Sequence, residues 1–204
     1  MNVLTCVVVA SAVRLAMPDV MRTPSPGDVR LEGWLGAKAD RFVAQRLTDP
    51  FQRQEIFDEA RQAFARRDDD ESKVGGRWRG EFWGKQMLSS ARVADSLRDP
   101  AFLGFLREEC HRLMAFQDPD GYLGSYADRT FVKVRDVAAC QAKFGWLPNW
   151  NLWNRKYCMW GMLMAYRATG DRAILASVEA QMDQWIDMMH GLGLSLAETG
   201  AGGM

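Results

Sequence analysis

Leu97-Arg98-Asp99-Pro100-Ala101 joins two amphipathic stretches, and its wording decides the fold. Asp99 suits a helix N-cap, and Pro100 suits the first helical position, where a missing N–H costs nothing. Fifty residues earlier, Leu47-Thr48-Asp49-Pro50-Phe51 has the same form. Ala168-Thr169-Gly170-Asp171-Arg172 is a third joint, with Gly170 as left-handed cap and Asp171 starting the next helix.

Outward from these joints, apolar residues recur at helical spacing. The pattern predicts helices over 35–47, 51–65, 81–97, 100–116, 152–168 and from 171 onward. Leu35, Phe42, Val43 and Leu47 fall near one face of the first. Residues 127–148 are less regular and read as a long loop or a short helix. Three αα-hairpins in series make an all-α repeat architecture, expected to form about half of an (α/α)6 toroid or barrel. Residues 1–30 form an irregular lead-in, and 31–204 are expected to be the N-terminal half of that domain.

Composition narrows the function. The 204 residues carry 26 acidic and 26 basic side chains. There is no basic stripe, so nucleic acid is an unfavoured partner. No stretch is long enough to span a membrane. The apolar run Leu4–Val13 reads either as a clipped export signal, giving a periplasmic or extracellular protein, or as part of a cytoplasmic one. The four cysteines and two histidines show no zinc spacing. Oligomeric state is not legible.

Six of the eight tryptophans lie between Trp78 and Trp160. The loop Gln117-Asp118-Pro119-Asp120-Gly121-Tyr122-Leu123-Gly124-Ser125-Tyr126 packs two carboxylates, an amide and two phenols into ten residues. Such a set can bind hydroxyls and cover apolar sugar faces, or it can be an ordinary turn with packed tyrosines. Glu81 can bind hydroxyls or complement a helix dipole. Trp150 and Trp153 can stack on a sugar or anchor the loop before them. Lys156 can meet a hydroxyl or an acidic sugar, or face solvent. The stretch Arg66–Lys73 reads as a solvated charge run.

Four segments in order carry a resemblance: Trp78-Arg79-Gly80-Glu81-Phe82-Trp83-Gly84-Lys85, Gln117-Asp118-Pro119-Asp120-Gly121-Tyr122-Leu123-Gly124, Trp153-x-x-Lys156-Tyr157 with Gly161-Met162-Leu163, and Tyr166-x-x-Thr169-Gly170-Asp171. From about Gly33 to Met204 the chain resembles the N-terminal half of the catalytic domain of β-L-arabinofuranosidases, glycoside hydrolase family 127. The resemblance implies a sugar cleft at one end of a helical barrel and a plant-type glycan or oligosaccharide as partner. It implies Glu81, Gln117, Asp118, Asp120, Tyr122, Tyr126, Trp150, Trp153 and Lys156 as substrate-binding residues. In that family a cysteine nucleophile sits on zinc. Those residues belong to the second half of the domain, so no metal ligand, cofactor or catalytic residue is assigned in this chain, and alone it is expected to be inactive. Better-known members carry a histidine where this chain has Asn154 and Arg155. Two other functions fit the same pattern: a non-catalytic helical scaffold binding protein or glycan, and an α/α-barrel enzyme acting on acidic sugars.

Overall fold

The computed structural model describes residues 24–69, 76–130, 150–195 and 199. Among them the chain is all-α, without a strand. Six α-helices run Gly33–Phe42 (α1), Pro50–Ala65 (α2), Gly80–Leu97 (α3), Pro100–Met114 (α4), Trp150–Thr169 (α5) and Arg172–Leu192 (α6). Most of the lead-in and most of 127–148 lie outside the described residues.

The joints form as their chemistry dictates. Asp99 Oδ1 accepts the Ala101 N–H at 2.9 Å, and Asp171 Oδ1 accepts the Ala173 N–H at 3.0 Å. Each such cap stabilises its helix by about 1 kcal/mol. The helix before each joint ends on a left-handed residue: Gly170 at φ +70°, and Arg98 at φ +49°. Glycine adopts that region freely, whereas arginine pays a small steric penalty there. The first joint is built differently. α1 continues into a wide π-turn, Val43–Leu47, closed by Thr48, whose N–H donates to the Val43 carbonyl at 2.9 Å.

One correction concerns the first helix. Leu35 and Phe42 are exposed, and of its predicted apolar face only Leu47 is buried. Periodicity marks a face but does not say that a neighbour covers it.

The tightest packing is between α3 and α5. A Cβ on Gly84 would stand 2.2 Å from the Tyr157 carbonyl oxygen, and one on Gly161 would stand 2.9 Å from the Gly84 carbonyl oxygen. The two backbones therefore meet without side chains between them. α4 contacts α2, α3, α5 and α6, so the hairpins pack against one another. The core between the helices is built on Phe57, Trp83, Met87, Leu106, Leu113 and Met162, all fully buried. Inside it lies one carboxylate, Glu109. Its Oε1 accepts from the Trp83 indole at 3.0 Å and from Arg61. Burial pushes the Glu109 carboxyl above the usual range, opposed by those two donors.

Candidate functional site

The packing brings the ends of α2 and α4 to the starts of α3 and α5. Arg77 organises this end. It is buried, and its guanidinium donates to the carbonyls of Arg67, Asp69 and Ser125 at 2.7, 2.8 and 2.9 Å. Asn154 completes the tie. Its amide nitrogen donates to the Arg77 carbonyl and to Ser125 Oγ, and its Oδ1 accepts the Glu81 N–H at 3.2 Å. Four segments are thus fixed against one another by backbone-directed bonds.

The 117–126 loop is held firmly in this frame. A turn closes from the Gly121 N–H to the Asp118 carbonyl, with Gly121 at φ +93°. Gln117 donates to the Gly121 and Ser177 carbonyls and accepts from Ser177 Oγ, so its amide is fully engaged. Asp118 takes both Arg67 and Arg129. Asp120 accepts the Tyr122 N–H and a bond from Arg129. Tyr122 has no exposed surface, and its hydroxyl donates to the Tyr126 carbonyl at 2.7 Å. Tyr126 is buried as well.

These five side chains, expected to meet a sugar, are engaged by partners or enclosed within the fold. Gln117, Asp118, Tyr122 and Tyr126 are committed inside the fold, and Asp120 is tied to Arg129 at its rim. The loop is a strut between α4, α6 and the segment after α2. The reading of the charge run is corrected at Arg67. Arg67 is largely buried, with its guanidinium bonded to Asp118 at 2.8 and 3.2 Å, while Arg66, Asp68 and Asp69 are exposed.

The other expected residues form a different surface. Trp150, Trp153, Tyr157 and Trp160 are spaced by three, four and three residues, so they share one face of α5. Their rings form a chain: Trp150 to Trp153 at 6.1 Å, Trp153 to Tyr157 at 5.3 Å, and Tyr157 to Trp160 at 6.2 Å. Lys156 Nζ lies 3.9 Å from the Trp153 ring centre and 4.4 Å from that of Tyr157. From α3, Lys85 Nζ lies 4.9 Å from Tyr157 and pairs with Glu81 one turn before it. The Glu81 hydrogen bond holds the Lys85 ammonium above the usual range, whereas burial lowers that of Lys156. Trp160 is 45 % exposed at the end of the ridge. Lys85 also borders a cavity of about 240 Å³ between α2 and α3, lined with Ile56, Glu59, Arg79 and Phe82.

The structure therefore gathers Glu81, Trp150, Trp153 and Lys156 on a surface apart from the 117–126 loop. Lys85 and Tyr157 belong to the same surface. Each lies one helical turn beyond an expected residue, Glu81 or Trp153, and that spacing could have found it. Arg155 turns the opposite way. It is fully buried between Tyr122 and Trp185, and burial lowers it to about 10.

No described residues fit a zinc–thiolate centre. Cys110 and Cys158 are enclosed in the core, and burial pushes both thiols up. Among the described residues there is no cluster of three or more His, Cys, Asp or Glu side chains placed to hold a metal ion. Nor, among them, is any helix long and apolar enough to cross a membrane.

Comparison with known proteins gives two results. The matching family is described as beta-L-arabinofuranosidase, GH127 catalytic domain, and the match covers residues 36–199. Among solved structures, Ara127N-Se, a GH127 beta-L-arabinofuranosidase from Geobacillus stearothermophilus T6, is similar at 20 % identity and a TM-score of 0.45. The overlap covers 72 % of this chain and 22 % of that one. Comparison with curated proteins yields no match.

Proposed function

The chain belongs to the GH127 beta-L-arabinofuranosidase catalytic-domain family, and from that premise we propose that it forms the sugar-holding part of a glycoside hydrolase acting on plant-type glycans. The family match over residues 36–199 carries this reading. The aromatic ridge of α5 supports it. Rings cover the apolar faces of a sugar, while Glu81, Lys85 and Lys156 supply hydrogen-bonding groups beside them. The stacked hairpins would be one arc of an (α/α)6 ring with this ridge toward its cleft. Residues that break the glycosidic bond are assigned to none of the described side chains.

The experiment is a fluorescence titration of the protein with arabinofuranosyl oligosaccharides, read on its tryptophans. A saturable change that Trp153→Ala and Trp160→Ala each weaken is the expected result. Binding that neither substitution affects would remove the ridge from the site. Absence of any binding would remove the proposed role.

A further inference from the structure

We propose that the saccharide held on the Trp153–Tyr157 face carries a carboxylate, and that the Lys156 ammonium receives it. This rests on the reading that the ridge holds a saccharide, and it narrows the class to acidic sugars such as uronates.

Lys156 has three N–H donors, and the structure gives its ammonium two ring faces, Trp153 and Tyr157. The neighbouring carboxylate, Glu81, is engaged by Lys85. Two ammonium groups thus share one carboxylate that is already paired. A neutral sugar hydroxyl brings acceptor lone pairs but no charge, and so leaves the excess positive charge in place. A carboxylate brings acceptors only, together with the missing negative charge.

The local electrostatics agree. Burial depresses the Lys156 ammonium and Lys85 adds to the effect, with Glu81 opposing them. An incoming carboxylate works in the same sense as Glu81. The rings also hold the ammonium in place by cation–π contact, so little side-chain freedom is left to lose on binding. Tyr157 lies under both lysines.

The test compares two probes of equal length, trigalacturonate and arabinotriose, by tryptophan fluorescence on the protein at low salt. The acidic probe is expected to bind about tenfold tighter, the gain of one good charge-assisted contact. Lys156→Gln should bring the ratio of the two affinities to about one, and Lys156→Arg should keep it above one, since only the charge is retained. Equal affinities in the unsubstituted protein, or a preference that survives Lys156→Gln, would overturn the proposal while leaving the sugar-holding role intact. If neither probe binds, both readings fall together.

Discussion

Arg67 and Asp118, 51 residues apart, meet in a two-pronged ion pair with contacts of 2.8 and 3.2 Å. The pair joins the segment after α2 to the loop after α4, and Arg129 reaches the same carboxylate at 2.6 Å. Both partners are mostly buried, with side-chain exposures of 16 % and 18 %. Asp118→Ala would leave Arg67 short of its counter-charge and is expected to cost about 2 kcal/mol, between the values for surface and buried pairs. Urea unfolding measures it. A double-mutant cycle with Arg67→Ala should show clear coupling, whereas additive losses would mean that the pair is incidental.

Gly84 and Gly170 separate two reasons for a glycine. At Gly84 an added methyl meets the Tyr157 carbonyl at 2.2 Å, and backbone on both sides cannot give way. Gly84→Ala is expected to cost about 2–3 kcal/mol by forcing α3 and α5 apart. Gly170 has open space around it but sits at φ +70°. Gly170→Ala is expected to cost about 1 kcal/mol, from backbone strain alone. Thermal unfolding of the two variants should rank them in that order. The reverse order would mean that the helices can separate cheaply.

These two positions also show what the sequence made legible. Helix ends were readable because caps and left-handed residues act over a few neighbours: Asp99, Pro100, Gly170 and Asp171 all sit where local chemistry puts them. The ridge on α5 was partly readable, since ring spacing along a helix is fixed. The role of the 117–126 loop was not. Its side chains could equally serve ligand or fold, and the deciding partners, Arg67, Arg129 and Ser177, are brought in by tertiary packing. Arg155 and Lys156 are adjacent in sequence yet face opposite ways, so only the packing of α6 reveals which one is enclosed.

Asp171 gives a pH dependence. Its Oδ2 lies 2.8 Å from His111 Nε2 and 3.6 Å from Arg107 Nε, and its Oδ1 caps α6. The His111 hydrogen bond chiefly holds its carboxyl below the ordinary aspartate value. A carboxyl lowered in the folded state contributes stability above its unfolded value, and loses it as pH falls through the folded one. Asp171→Asn should therefore flatten part of the stability loss on acidification below about pH 4, the ordinary aspartate range. Melting curves across that range check it. Unchanged acid sensitivity would show that the contact contributes nothing.

Glu109 has the opposite sign. Desolvation raises its carboxyl, so the folded state binds the proton more tightly than the unfolded chain does. Its contribution is then greatest below the ordinary glutamate value and declines as pH rises through the raised one. Glu109→Gln should remove that decline and still offer an amide oxygen to Trp83 and Arg61. Glu109→Ala is different. It leaves the Trp83 indole and the Arg61 guanidinium, only 14 % exposed, without their acceptor. The expected cost is about 3–4 kcal/mol, typical of breaking one side of a buried pair. Urea unfolding of both variants at neutral pH should place Glu109→Gln well above Glu109→Ala in stability. Equal losses would mean that the negative charge itself, rather than an acceptor at that position, is what Arg61 and Trp83 require.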